Sequence, residues 1–153
     1  MSSKSLKTMK RTLMILLFFG FAIQGMAQSS DDRAQVLQKC IDLQQLQLYY
    51  PRDARGAIKQ LKIMQHGISF PENINVSKNG VRPAFLSKKE VSETGMNAYF
   101  LFHEFTISET VASVAFIYHY SEADQLVVTL ELEKTGSNWS VKKSNASIDH
   151  ETK

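Results

Sequence analysis

The fold is decided by four segments in which apolar and polar side chains alternate: NAYFLFHEFTI (97–107), TVASVAFIYHY (110–120), QLVVTLELEK (125–134) and NWSVKKS (138–144). The stretches between these segments are short and polar. Because successive side chains of a strand point to opposite faces of a sheet, the pattern predicts four consecutive strands of an antiparallel meander. We expect its turns at Ser108-Glu109, Ser121–Asp124 and Thr135–Asn138.

A helix is predicted in front of the meander. Apolar residues recur near helical spacing from Asp31 or Asp32, either of which can cap the first turn, to about Tyr49. Pro51 is expected to end the helix because proline cannot donate a backbone hydrogen bond. The expected fold is therefore α+β, with an N-terminal helix packed on a curved antiparallel sheet. The length suits one domain, residues 28–153.

Residues 58–66 admit two interpretations. On a helix, the cations between Arg52 and Lys62 would form one basic stripe. However, Leu61 and Ile63 alternate with Lys62 and Met64, which favours a strand whose charges are simply solvated.

A hairpin and a short helix are predicted between this strand and the meander. Asn79-Gly80 is typical of a type I′ turn, and Pro83 places the strand that follows at a sheet edge. Ser87 and Glu90 match a capping box, which predicts a helix over 88–94.

The turns of the meander set its register and so decide which residues share a face. We expect Ile107 opposite Thr110, Tyr120 opposite Gln125, and Lys134 opposite Trp139. The face covered by the helix, called the inner face, is then expected to carry Phe100, Phe102, Ala115, Ile117, Leu126, Val128, Leu130, Leu132, Trp139 and Val141. The opposite, outer face is expected to carry Tyr99, Leu101, His103, Phe105, Ala112, Val114, Phe116, Tyr118, Val127, Thr129 and Glu131.

The outer face of this predicted sheet is a candidate binding surface. It is too aromatic to lie bare in water and too polar to be a plain core. His103, Val114 and Glu131 are expected to share one cross-strand row, with His103 and Glu131 two strand spacings, or about 10 Å, apart. The predicted ligand-binding residues are His103, Glu131, Tyr99, Phe116 and Tyr118.

Signatures of established chemistry do not occur in the sequence. It contains no P-loop, GxGxxG, GxSxG, HExxH or CxxC pattern. His103 and His119 fall on opposite faces in the predicted register, which argues against a shared metal site. Cys40 is the only cysteine, so no disulfide can form within the chain. We predict no catalytic residue, no metal and no cofactor, and a non-enzymatic role is favoured.

The closing strands resemble a known family. The segments VASVAF (111–116), LVVTLEL (126–132) and EKTGSNWSV (133–141), in which a polar turn leads to a Trp and an alternating last strand, resemble the NTF2-like (SnoaL-like, cystatin-like) α+β superfamily. The resemblance implies a concave sheet that can hold a small ligand, a substrate or a partner chain. Enzymes of that family place acid and base residues on the concave face, where only His103 and Glu131 are available here.

The N-terminus has the order of a secretory leader. Four cations in the first 11 residues precede an apolar run from Leu13 to Ala22, and Gly25-Met26-Ala27 supplies small residues for cleavage. The run is shorter than the ~20 residues that cross a bilayer. We expect loss of residues 1–27 and a periplasmic or secreted chain without a membrane anchor. The leader and the small domain also resemble exported envelope proteins of Bacteroidetes-type bacteria.

Removal of the leader changes the net charge. The whole chain has 18 Lys and Arg against 15 Asp and Glu, a net charge of +3. Without the four cations of the leader, 14 stand against 15, which gives a charge near −1. Charge therefore argues against a nucleic-acid partner.

Three functional hypotheses follow. The favoured one is an exported, non-catalytic binding or interaction domain that uses the outer face for a small molecule, a protein partner or a second copy in a homodimer. The second is a small SnoaL-like hydrolase or isomerase with His103 as base and Glu131 as its orienting group, which requires both in one enclosed cavity. The third is an envelope protein without a small-molecule site.

Overall fold

The computed structural model describes residues 30–150. Helix α1 covers residues 30–41, a 3-10 turn follows at Gln44–Leu46, and helix α2 spans Lys88–Glu93. The strands are β1 (Lys62–Gln65), β2 (Ala84–Ser87), β3 (Tyr99–Ile107), β4 (Val111–His119), β5 (Asp124–Thr135) and β6 (Asn138–His150). The predicted α+β class and the C-terminal meander are confirmed. The predicted leader, residues 1–27, lies outside the described residues.

The six strands form one sheet in the order β2-β1-β3-β4-β5-β6. Strands β3 to β6 pair antiparallel, whereas β1 pairs in parallel with both β2 and β3. The chain therefore crosses from β2 to β3 through α2, which contacts β1 and β2. The edge position predicted from Pro83 is confirmed for β2. The predicted hairpin is reduced to a tight turn, since only Lys78 and Val81 bridge around Asn79 (φ 52°) and Gly80 (φ 78°).

Helix α1 ends well before the predicted boundary at Tyr49. Leu43 takes an extended conformation (φ −53°, ψ 129°), which stops the helix. The Tyr50 hydroxyl donates to the Ile41 carbonyl at 2.6 Å, and the Gln47 side chain donates to the Leu43 carbonyl at 2.8 Å. The first bond satisfies a carbonyl that the helix end leaves without a backbone partner, and the second holds the extended residue that follows the helix. Two polar side chains, rather than Pro51, thus fix the end of the helix.

The core lies between α1 and the inner face of the sheet. Aromatic rings dominate it, and the ring of Phe102 lies 5.1 Å from that of Phe116 and 5.2 Å from that of Phe70. Phe70 comes from the long connection between β1 and β2, so this connection also closes the core. The largest fully buried side chains are Trp139, Tyr118, Phe100, Phe102, Phe116, Leu37, Ile41, Leu46, Ile63, Leu130, Leu132 and Val36.

The predicted register is wrong for β4. A β-bulge lies between Phe102 and Glu104, and Ile117 pairs with Val127 rather than Val128. Because one residue of slip exchanges the faces of a strand, both differences turn β4 over relative to the prediction. Five residues predicted for the outer face lie in the core instead: Phe105, Ala112, Val114, Phe116 and Tyr118. Ala115 and Ile117, predicted inside, are only half-buried.

The rest of the face assignment is largely confirmed. Lys134 pairs with Trp139 and Leu132 with Val141, as predicted, although Val141 is exposed. The predicted inner residues of β3, β5 and the start of β6 are buried: Phe100, Phe102, Leu126, Val128, Leu130, Leu132 and Trp139. The remaining predicted outer residues are exposed or half-buried: Tyr99, Leu101, His103, Val127, Thr129 and Glu131.

Candidate functional site

Two of the five predicted ligand-binding residues belong to the core. Phe116 and Tyr118 are each 1% exposed, and the Tyr118 ring meets that of Tyr50 edge-on at 5.3 Å. Burial raises the pKa of Tyr118, so its hydroxyl stays neutral. Both side chains therefore pack the inner layer and do not face the predicted site.

His103 and Glu131 are on the surface, but they do not form the predicted cross-strand row. His103 is the extra residue of the β3 bulge, and the row that contains Glu131 runs through Thr106 and Ser113. Both residues are exposed. Glu131 lines a shallow depression of about 200 Å³ together with Lys143. The enclosed cavity that the hydrolase hypothesis requires for His103 and Glu131 is therefore not formed by these two side chains.

Tyr99 lines a larger cavity, of about 400 Å³, at the end of the outer face near α2. Its ring stacks on the ring of His119, with 4.5 Å between centroids and 24° between planes. The two residues face each other across β3 and β4. The cavity is lined by Met64, Lys88, Val91, Ser92, Gly95, Met96, Asn97, Tyr99, His119, Ser121 and Glu122.

Helix α2 forms the wall of this cavity opposite the sheet strands, and its start is fixed by a capping box. The Ser87 hydroxyl accepts from the Glu90 amide at 3.2 Å, while the Glu90 carboxylate accepts from the Ser87 amide at 2.7 Å. The latter bond lowers the pKa of Glu90. Val91 faces the sheet and is buried. Met64 of β1, which lines the same cavity, is also buried. The capping box thus holds Lys88, the first residue of α2, at the cavity.

The prediction from sequence missed His119 as a partner of Tyr99. In the predicted register the two residues lie on opposite faces, because the pairing of Ile107 with Thr110 is extended along β3 without a bulge and sets Tyr99 opposite Tyr118. In the structure the bulge between Phe102 and Glu104 changes this register, so Tyr99 pairs with His119. The signal was available in Phe102 and Phe105, two buried residues whose spacing of three does not fit the alternation of a regular strand.

A second polar cluster joins α1 to the last hairpin. Asp32 is buried, and its Oδ1 accepts from Trp139 Nε1 at 2.9 Å and from Lys134 Nζ at 2.8 Å. The Lys134 ammonium also lies 5.8 Å from the centre of the Trp139 ring. Within the described residues no buried side-chain nitrogen or oxygen lacks a hydrogen-bond partner, so we assign this cluster to fixing α1 on the sheet rather than to binding a ligand.

Within residues 30–150, no group of three or more His, Cys, Asp or Glu side chains is placed to hold a metal ion. No helix in the same range is long and apolar enough to cross a bilayer. Comparison with family models, curated proteins and solved structures finds no match to this chain.

Proposed function

We propose that the protein is an exported, non-catalytic binding domain that takes a small zwitterion with an aromatic or apolar side chain. The observation that carries the proposal is the cavity beside Tyr99, which combines a ring-lined floor with one cation and one anion. Export is inferred from the predicted leader. The relation to the NTF2-like superfamily stays a prediction.

The floor of the cavity suits a flat or apolar group. The stacked rings of Tyr99 and His119 offer an aromatic surface, and Met64, Val91 and Met96 add apolar atoms around it. Such surfaces bind planar groups through stacking and sulfur contacts. A volume of about 400 Å³ accommodates a ligand of the size of an amino acid.

The charges of the cavity suit a ligand that carries both signs. Lys88 enters from α2, and Glu122 enters from the turn between β4 and β5. A ligand that carries only a carboxylate would leave Glu122 without a partner or facing a like charge. A ligand that carries only an ammonium group would do the same to Lys88. A zwitterion can pair its carboxylate with Lys88 and its ammonium with Glu122.

The proposal is tested with three probes of similar shape: L-phenylalanine, phenylacetate and phenethylamine. Binding is followed by NMR through the ring signals of Tyr99 and His119. We expect L-phenylalanine to bind with a Kd of about 1 mM, as its size allows, and the singly charged probes to bind at least about tenfold more weakly.

Matched variants locate the site. Lys88→Met and Glu122→Gln should each reduce L-phenylalanine binding to the level of a singly charged probe, while His103→Ala, on the same face but outside the cavity, should leave it unchanged. Equal binding of all three probes, or no shift of the Tyr99 and His119 signals with any of them, would contradict the proposal.

A further inference from the structure

Strand β6 leaves a long edge of the sheet open. It spans Asn138–His150 and is the last strand in the sheet order. At its start, the Trp139 amide donates to Gln35 of α1 at 3.4 Å, which covers that part of the edge. From Val141 to His150, the described chain supplies no backbone hydrogen-bond partner other than β5. Every second residue of this stretch therefore directs its amide and carbonyl groups to solvent.

The other edge of the sheet, formed by β2, is protected against pairing with another strand, whereas the edge formed by β6 is not. Strand β2 is four residues long, follows Pro83 and leads directly into α2. Short length and a neighbouring proline are common means of preventing edge pairing. Strand β6 contains no proline, and its single bulge lies near its beginning, between Val141 and Lys143.

We propose that a second copy of this chain pairs with β6, strand against strand and antiparallel, about a two-fold axis at Ala146. Backbone bonds between the two edges would join both sheets into one continuous sheet of two copies. The proposal concerns the edge of the sheet and does not depend on the cavity beside Tyr99.

Charge complementarity between Lys143 and Asp149 favours the two-fold axis at Ala146. Lys143 pairs with Glu131 and Asp149 pairs with Gln125, so both side chains lie on the outer face. We consider only two-fold registers in which the outer faces of the two copies lie on the same side of the joined sheet. In the register centred on Ala146, Lys143 of each copy lies opposite Asp149 of the other copy. Within the described residues, neither Lys143 nor Asp149 forms an ion pair, and each is exposed.

The inner face gains apolar contact in the same register. Ile148 pairs with Leu126 and belongs to the inner side of β6, yet 51% of it is exposed. Pairing about Ala146 places Ile148 opposite Ser144 of the second copy and next to Ala146 of that copy. The apolar layer of one copy would then continue into that of the other, and Ile148 would lose contact with water.

The test is the oligomeric state of the purified protein by sedimentation equilibrium over a range of concentrations. We expect a reversible dimer. Lys143→Glu sets two acidic side chains opposite each other twice in the dimer, and Asp149→Lys does the same with two cations. Each substitution should weaken the dimer at least about tenfold. The double variant, with both charges exchanged, should restore the dimer to within about threefold.

A monomer at every concentration overturns the proposal, and so does a dimer that neither single variant weakens, because that dimer would use another surface. Single variants that weaken the dimer without restoration in the double variant contradict the predicted register. Circular dichroism of each variant establishes that a lost dimer does not reflect a lost fold. Lys59→Glu provides a matched change of charge away from the pair, because Lys59 is exposed, forms no ion pair within the described residues and precedes β1, which three strands separate from β6.

Discussion

The two faces of the sheet contrast most clearly along β4, where neighbouring residues experience different surroundings. Phe116 is 1% exposed beneath α1, whereas Ile117, the next residue, is only half-buried on the other side. On the inner face, α1 and the connection that carries Phe70 exclude water. On the outer face, α2 covers β1 and leaves β3 to β6 open. One face therefore supplies the stability of the fold, and the other is available for contacts outside the molecule.

The largest difference between the faces is expected from truncating adjacent residues of β4. Phe116→Ala should lower the free energy of unfolding by about 3–5 kcal/mol, since it removes a ring packed 5.1 Å from that of Phe102 and leaves a cavity. Ile117→Ala should cost about 1 kcal/mol, because this side chain is already partly hydrated. Urea unfolding measures both. Equal losses would mean that something also covers the outer face.

A smaller but still large effect is expected where α1 is attached to the inner face. Asp32→Ala should cost about 3 kcal/mol, because it leaves Lys134 and the Trp139 N–H buried without their common acceptor. Trp139→Phe keeps the ion pair and most of the packing, so it should cost less. Chemical denaturation of the two variants compares them, and a harmless Asp32→Ala would show that the cluster does not fix the helix.

An acid-dependent effect is expected on α2, which covers part of the outer face. The Ser87 amide lowers the pKa of Glu90 below its usual 4.5. The stabilisation from this bond is therefore fully present above pH 4.5 and is lost as the pH falls below 4.5 through the lowered pKa. Glu90→Gln does not titrate, so its stability difference from the native protein should shrink over that pH range. A difference that stays constant from pH 7 to pH 3 would be inconsistent with this role of Glu90.

The smallest effects are expected from the exposed outer residues. His103→Ala and Glu131→Ala should each change the free energy of unfolding by less than about 0.5 kcal/mol, because both side chains are exposed. Thermal unfolding of the two variants at several protein concentrations checks this. A loss above about 1 kcal/mol that grows with concentration would indicate that a second copy covers these residues.

The sequence predicted the strands better than their faces. The strands of the meander and the pairing of Lys134 with Trp139 followed from local alternation and a short polar turn. The turnover of β4 depends on the bulge at His103, which alternation alone does not place. The bulge does leave one trace: Phe102 and Phe105 are both buried, with two exposed residues, His103 and Glu104, between them. An apolar spacing of three in a strand indicates a bulge.

The candidate site was only partly predictable because it depends on contacts between distant segments. Tyr99 was placed on the correct face from its own strand. The position of α2 over Met64 follows from the parallel pairing of β1 with β3, and no local pattern in Lys62–Gln65 specifies that partner. Without α2 in place, Lys88 could not be assigned to a cavity that also contains Tyr99.

The parallel position of β1 has a consequence for how the chain reaches its native state. Each hairpin of the meander joins neighbours in the chain, whereas Ile63 meets Phe100 only after the intervening loop and α2 have closed. We therefore expect refolding to begin in the meander and to finish when β1 and β2 dock. In hydrogen exchange, the amides of β1 should gain protection after those of β4 and lose it first.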